Sequence, residues 1–570
     1  MRPSRPGWPR SLWVLTAAAF GLRLAAWLAA GPIRCLADEC FYTQLATALA
    51  TGKGFQLHAG HYWPPGHIAF LAAHIKMGLG VYGAKGTQVV LSTLLVPLTF
   101  VLGRLAATGW DERLARRAGL AAAALIAFNP TLIAYAHYLW SETLFLPLFI
   151  GAMILALGAG ESGSSRQAAF SGMLFGLACL IKVVPLYFVP VIAVWMSWRT
   201  SWQRRPVRTA LSLIGGLLLV IGPWAMRNKA TYGTVVLIET TTGKNLVRGN
   251  NPVGPANWDW GSHRQPRGVL NAVDCRASNG PAALNACFTR HGLDAITGHP
   301  LRFLADIPVK IADLVNPTSF LVRHVRRGIY GDWPAPLATA VVVSVASFNM
   351  VLMGLGVIGW IGGPRGSPRT LMLLYALYTV GVHVVMFAMS RFRLPLVPLL
   401  AVGAALVLTG GARRILFPGS RVSRWVAAVI VMGLVLAWSA RIGWLFALPR
   451  GDQSSGGAPL SRLVPDLRVT TFDVPRITAR LAAFSARVGP GITRARRPAG
   501  ELSHRRARQT RFSSPTARDS TATPAAQAPS PAGRATAGAF PWQTATTRPT
   551  TSHSSSGPRS KCRMASPLVT

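Results

Sequence analysis

Residues 11–42 read SLWVLTAAAFGLRLAAWLAA followed by GPIRCLADECFY: twenty mostly apolar residues, Ser11 to Ala30, with the acidic pair Asp38-Glu39 eight positions on. A bilayer's hydrocarbon core takes about 20 apolar residues of helix to cross, so the first stretch is a membrane span. Arg2, Arg5 and Arg10 precede it, which predicts an N-terminus on the cytoplasmic side. A cleaved signal peptide is the competing reading, but the apolar run is long for one and further spans follow. Arg23, inside the span, is costly to bury and is expected to snorkel or to find an acidic or phosphate partner.

Composition agrees with that start. The chain has 570 residues, 51% hydrophobic and only 14% charged, where a soluble domain carries about 25% charged. Mean hydropathy is +0.35. Lys and Arg (59) outnumber Asp and Glu (18), a formal charge of +41. The arginines stand in short clusters between apolar runs, without a continuous basic face, so membrane topology explains them and no nucleic-acid partner is expected.

The predicted fold is all-α and integral to the membrane, with about eleven spans: 11–30, 86–107, 118–134, 143–158, 168–182, 183–198, 209–227, 336–361, 370–389, 394–411 and 425–447. The run His67 to Tyr82 is too short to cross and is placed on the membrane as a juxtamembrane segment. The short basic loops around Arg104, Arg113, Arg116 and Arg117, Arg166, Arg199 to Arg208, Arg365 and Arg369, and Arg413 to Arg424 then all share the cytoplasmic side. Loop 31–85, the turns holding Glu142 and Lys182, segment 228–335 and the Arg391–Arg393 turn fall on the extracytoplasmic side. Polar residues held there are functional candidates, because hydrocarbon offers them no solvation.

Residues 1–448 form the membrane domain, and 449–570 a basic, low-complexity tail too poor in large apolar residues to bury a core. A readthrough or frame-shifted gene end stands beside a genuine disordered tail. Six cysteines lack the paired CxxC spacing of a zinc site. Cys275 and Cys287 share one extracytoplasmic loop, where a disulfide is possible, as it is, less readily, for Cys35 with Cys40. Arg far in excess of Lys, with abundant Ala, Gly and Pro, points to a GC-rich bacterial genome and hence the inner membrane.

On a helix, Asp38, Tyr42, Leu45 and Leu49 share a face, whereas adjacent Asp38 and Glu39 point about 100° apart and take different roles. An acidic pair favouring a helix dipole is the structural alternative. Lys182, Arg391 and Arg393 end spans where a cation meets a lipid phosphate, or else snorkel to the interface. Arg227-Asn228 follows Pro223-Trp224 at a span exit and is either a further phosphate contact or an anchor. Glu142 follows a turn with Tyr135, His137, Tyr138 and Trp140; it binds sugar hydroxyls, the rings packing on the sugar, or sits in a first helical turn capped by Ser141. His58 and His61 lack a third ligand, and no metal site is assigned. Gly243-Lys244 lacks the glycine spacing of a P-loop.

In their order, D-E-x-x-Y at Asp38–Tyr42, G-x-G at Gly52–Gly54 and Y-x-P-P-G at Tyr62–Gly66 resemble the GT-C membrane glycosyltransferases that use polyprenyl-phosphate sugars. Within that group the chain resembles the protein O-mannosyltransferase family and the aminoarabinose transferase of lipid A. Later segments agree in order: Asn129-Pro130 with Ser141-Glu142, Gly176-Leu177-Ala178 with Lys182 and Pro185, Pro223-Trp224 with Arg227-Asn228, Gly243 with Asn245 and Gly249-Asn250, and Arg391-Phe392-Arg393-Leu394-Pro395. The likeness covers about 11–412. It implies Asp38 as general base, with Glu39 orienting base or acceptor, in a metal-independent inverting displacement by a hexosyl- or pentosyltransferase. Lys182, Arg391, Arg393 and Arg227 would hold the donor phosphate; Tyr42, His61, Glu142 and Asn250 would meet sugar or acceptor. No cofactor is implied, the lipid-linked sugar being a co-substrate. The acceptor is an extracytoplasmic protein, lipid or envelope glycan; the soluble C-terminal domain of some relatives has no counterpart, which leaves it open. A transporter or flippase of lipid-linked saccharides is the other reading, disfavoured by the absence of repeated halves. A non-catalytic scaffold is a third.

Overall fold

The computed structural model describes residues 8–446 apart from 32–34, 36–37, 57–59, 201–205, 251–273, 276–277, 327, 332 and 411–420. The predicted tail, His58 and part of the segment 228–335 lie outside the described residues. The described chain is all-helical and multi-pass. Seven helical segments are long and apolar enough to cross a membrane: Arg10–Ala30, Gly80–Ala106, Glu142–Ser162, Val207–Tyr232, Ala335–Gly362, Ser367–Val385 and Ser390–Gly410. Four of the eleven predicted spans correspond to shorter helices or lower hydropathy.

In chain order the helices are α1 (Arg10–Ala30), α2 (Asp38–Ala50), α3 (Pro65–Lys76), α4 (Gly80–Thr93), α5 (Leu95–Ala106), α6 (Glu112–Ala127), α7 (Pro130–Tyr135), α8 (Glu142–Ser162), α9 (Ser165–Ile181) and α10 (Val189–Thr200). They continue with α11 (Pro206–Tyr232), α12 (Thr242–Asn250), α13 (Pro281–Gly298), α14 (Pro300–Leu314), α15 (Phe320–Arg326), α16 (Ala335–Gly362), α17 (Ser367–Val385), α18 (Val397–Gly410) and α19 (Arg421–Phe446). The run His67 to Tyr82 is not one continuous helix. It splits into the twelve-residue α3 and the start of α4, separated at Gly78 (φ 76°) and Gly80 (φ 60°), left-handed positions that glycine occupies without a Cβ penalty.

The span predicted over 118–134 is broken. Asn129 ends α6 and caps α7, its side chain accepting from the Leu132 N–H at 3.0 Å, and Pro130 opens the new helix. The link between α8 and α9 uses the same grammar: Gly163 closes α8 in the left-handed region (φ 65°), and Ser164 caps α9 at Gln167 N. Such breaks leave the ends of α7, α8 and α9 free to carry polar side chains.

Lipid gives helices no hydrophobic reason to associate, so close backbone approach and van der Waals contact carry their packing. A Cβ on Gly359 of α16 would overlap the Gly403 carbonyl of α18, and one on Gly403 the Gly356 carbonyl. Aromatic rings fill the centre, with Phe149 of α8 at 4.6 Å and Phe188 at 5.0 Å from Tyr375 of α17.

Arg23 corrects an expectation. It is fully buried rather than snorkelling, and its protein partners are a hydroxyl and backbone carbonyls rather than an acid. Its guanidinium donates to the Ser92 hydroxyl (2.9 Å) and to the carbonyls of Ala19, Ile126 and Ala127. The last two are carbonyls at the C-terminal end of α6, where the helix dipole favours a cation. Both open cysteine pairings are formed, Cys35–Cys40 and Cys275–Cys287. The first brackets Asp38 and Glu39.

Candidate functional site

Helix α2 begins at Asp38, so its carboxylate projects from a helix start toward three other chain breaks: the entry to α8, the exit of α9, and the 3-10 turn Ser390–Leu396 that precedes α18. Four charged side chains meet there. Arg391 Nη1 donates to Asp38 Oδ2 at 3.1 Å, and its Nε lies 3.5 Å from Glu142 Oε1. Lys182 Nζ donates to the same Glu142 oxygen at 3.0 Å. The Arg391 guanidinium lies over the Trp140 ring at 4.2 Å and is flanked by Phe392 and Phe320 at 5.4 and 5.6 Å. A planar cation can serve two carboxylates and stack on a ring together; a lysine cannot.

Glu142 therefore belongs to the charge cluster through Arg391 and Lys182, and it is also the first residue of α8, after Ser141. Its Oε2 and the Trp140 Nε1 have no hydrogen-bond partner among the described residues. The rings expected to pack on a sugar are buried and engaged. Tyr138 stacks on His324 at 4.3 Å, His137 meets the Tyr330 hydroxyl at 2.8 Å, and Trp140 lies beneath Arg391.

Tyr42, one turn along α2 from Asp38, is buried edge-on to Trp63 (5.0 Å) and His67 (4.8 Å). Burial, then the neighbouring Asp38 charge, raises its phenol further, so it stays neutral. Glu39 points elsewhere, as the 100° step requires. It is buried, accepts from Leu139 N at 2.8 Å, and sits 3.8 Å from His324 Nε2.

Four other expected site residues are engaged away from this cluster. Arg393 donates from Nη1 and Nη2 to the backbone carbonyls of Leu314, Asn316 and Thr318, which ties it to the turn after α14. Arg227 sits in an aromatic box of Trp224 (5.0 Å), Tyr232 (5.4 Å), Phe55 and Tyr62 (both 5.8 Å), with its Nη1 on Asn228 and Tyr232. His61 holds the Thr240 carbonyl at 2.7 Å. Asn250 accepts from Lys310 Nζ at 2.8 Å and donates to the carbonyls of Leu246 and Val385, joining α12, α14 and α17.

Two cations missed in the sequence reading do feel the Asp38 charge: Lys244 and Arg248, one turn apart on α12. Burial, with Arg248 adding, pushes the Lys244 ammonium down to about 8, against the pull of Asp38. The i, i+4 spacing between glycines in Gly243-Lys244-Asn245-Leu246-Val247-Arg248-Gly249 was the available signal. Gly249 seats α12 against Met386, where a Cβ would overlap the carbonyl, five residues before Arg391. The cluster thus combines two carboxylates with four cations on three chain segments, an arrangement able both to accept a proton and to hold an anion. The group Cys275, Cys287 and His291 has metal-like spacing, but its two sulfurs are bonded to each other.

No family model matches the chain, and no curated protein does. Among solved structures, the chain is similar to the Archaeoglobus fulgidus oligosaccharyltransferase in complex with Zn and sulfate: 15% identity over 75% of this chain and 52% of that one, TM-score 0.39. It is similar also to the archaeal oligosaccharyltransferase AglB from Archaeoglobus fulgidus in complex with an inhibitory peptide and a dolichol-phosphate: 14% identity, 83% of this chain, 59% of that one, TM-score 0.36. A third is ArnT from Cupriavidus metallidurans in the apo state, at 15% identity over 69% of this chain and 77% of that one, TM-score 0.31. The chain spans little more than half the length of the two archaeal structures.

Proposed function

We propose that the chain is a membrane glycosyltransferase that moves a sugar from a polyprenyl-phosphate donor to an acceptor on the extracytoplasmic face of the inner membrane. The observation that carries this reading is the Asp38–Arg391 pair: a carboxylate suited to take a proton and a guanidinium suited to hold a phosphate, in contact at 3.1 Å.

In the proposed reaction Asp38 takes the acceptor's proton as the acceptor's nucleophilic atom bonds to the anomeric carbon. The bond from that carbon to the phosphate oxygen breaks on the opposite face, and its electron pair leaves with the polyprenyl phosphate. The configuration inverts and no sugar becomes attached to the protein. Arg391 and Lys182 meet the charge that builds on the phosphate, and Lys244 and Arg248 extend that cationic wall. Phosphate arriving at Arg391 competes with Asp38 for the same donors, so donor binding frees the base. Glu142 holds Arg391 and Lys182 together, and Tyr42 supplies a neutral hydroxyl beside the base.

Sugar transfer from a panel of radiolabelled polyprenyl-phosphate sugars, in membranes carrying wild type or Asp38→Asn at matched expression, tests this. Transfer by wild type alone, with donor binding kept by the variant, supports the assignment and identifies the sugar. Equal transfer by both removes Asp38 as base. No transfer by either, with labelled lipid crossing the bilayer, makes the chain a transporter.

A further inference from the structure

Leu139 is held from both sides of its backbone by two buried polar side chains of the first loop. Glu39, 2% exposed, accepts from the Leu139 N–H at 2.8 Å. His67, fully buried in the first turn of α3, has its Nε2 3.1 Å from the Leu139 carbonyl, and the carbonyl can only accept. The next residues are Trp140, whose ring lies under Arg391, and Glu142, which pairs with Arg391 and Lys182. The same first turn of α3 is pressed on the end of α9: a Cβ on Gly66 would fall 2.9 Å from the Leu180 carbonyl, two residues before Lys182.

We infer that Glu39 and His67 are a pair of positioning residues, which clamp Leu139 and so set Trp140 and Glu142 against Arg391. The inference rests on the proposed function for its kinetic consequence and on the structure alone for its mechanical one. Each hydrogen bond closes a long loop, 100 residues from Glu39 to Leu139 and 72 from His67 to Leu139. Both converge on one residue, so loss of either frees the same segment. Neither side chain reaches the acceptor: Glu39 is buried behind α2 on Leu139, and His67 packs edge-on to Tyr42 at 4.8 Å. The clamp thus ties the acidic pair to the cation pair: Asp38 bonds Arg391 directly, while its neighbour Glu39 fixes the turn that carries the platform for Arg391.

The test uses the full chain in detergent, with Glu39→Gln, Glu39→Ala, His67→Gln and His67→Ala. Backbone amide exchange over 136–141 is read beside turnover of whichever polyprenyl-phosphate sugar the wild type accepts. Glutamine keeps an acceptor for the Leu139 N–H in the first case and a donor for its carbonyl in the second. Both glutamine variants should keep exchange and turnover within about threefold of wild type, whereas both alanine variants exchange about tenfold faster or more. In the alanine variants kcat should fall about tenfold with KM within about twofold, and the double alanine variant should be no worse than the poorer single one. Glu39→Gln as inactive as Asp38→Asn would make Glu39 a proton-handling group and overturn the inference. Unchanged exchange in both alanine variants would overturn it as well. If the wild type transfers no sugar, the proposed function fails, and the exchange comparison still decides the clamp.

Discussion

Asp38 and Arg391 lie 353 residues apart in sequence and meet at 3.1 Å, each covering the group through which the other would act. A paired carboxylate has a lone pair engaged, and a paired guanidinium has fewer donors for phosphate. Removing Asp38 should therefore improve phosphate binding. Asp38→Ala is expected to bind decaprenyl phosphate roughly fivefold tighter, corresponding to about 1 kcal/mol, and Arg391→Ala at least about tenfold weaker. Equilibrium binding to protein in nanodiscs measures both. Equal affinity of wild type and Asp38→Ala would mean that the pair survives donor binding.

Glu142 is buried and shared by two cations, and this sets the energetics of removing either partner. Lys182→Met leaves Glu142 with Arg391 alone, while Glu142→Gln leaves Lys182 and Arg391 adjacent and under-compensated. Each single variant is expected to destabilise by about 2 to 4 kcal/mol, and the double variant by less than the sum, with a coupling of about 1 to 3 kcal/mol. Denaturation of the four proteins in one detergent gives the cycle. Additive effects would show that the 3.0 Å contact contributes nothing in solution.

The buried Lys244 ammonium predicts opposite pH trends for binding and stability. Its pKa is lowered from 10.5 to about 8 in the folded protein. Between those values the unfolded chain binds the proton and the folded one does not, so Lys244's contribution makes stability rise with pH across that window. Donor binding runs the other way: below about 8 Lys244 is a cation for the phosphate, and above it the charge is lost. Affinity for decaprenyl phosphate should fall as pH rises through about 8 in wild type. The fall should vanish in Lys244→Arg, whose guanidinium stays charged, and in Lys244→Met, which binds weakly throughout. A fall that persists in Lys244→Arg belongs to another group.

The helical membrane architecture was legible because crossing hydrocarbon needs length and apolarity, both linear properties of a sequence. Asp38, Arg391, Lys182 and Glu142 were legible as polar residues at span ends, and they do converge. Their protein partners were not, because a carboxylate at a helix start looks the same whatever cation it meets, such as Lys182 for Glu142. The partners of Arg393 were hidden for a related reason. Two residues from Arg391 in a 3-10 turn, it faces three backbone carbonyls left unpaired where α14 ends, a need that no sequence spacing displays. Asn250 and His61 likewise serve backbone carbonyls. Lys244 and Arg248 had the opposite fate: their spacing was visible, but only the seating of Gly249 on Met386 brings α12 beside Asp38.

Arg23 provides a test of the fold that is independent of chemistry. Three of its four hydrogen bonds join α1 to Ser92 of α4 and to the last carbonyls of α6, the fourth closing on Ala19 within α1, and all are buried. Arg23→Met keeps the length and apolar bulk but strips the guanidinium donors from the Ala127 carbonyl and leaves the Ile126 carbonyl with its 3.4 Å bond from the Asn129 N–H. It is expected to cost about 2 to 4 kcal/mol, since buried acceptors without partners bear their full desolvation penalty. Arg23→Lys keeps the charge but reaches fewer of the four acceptors, and should lie between the two. Thermal melting in detergent ranks the three proteins. The site is built on α2, α8, α9 and the turn before α18, so sugar transfer measured well below the melting point should stay near wild type in Arg23→Lys. A Met variant as stable as wild type would mean that these carbonyls find other donors, and α1 would then be held to the bundle by apolar packing alone.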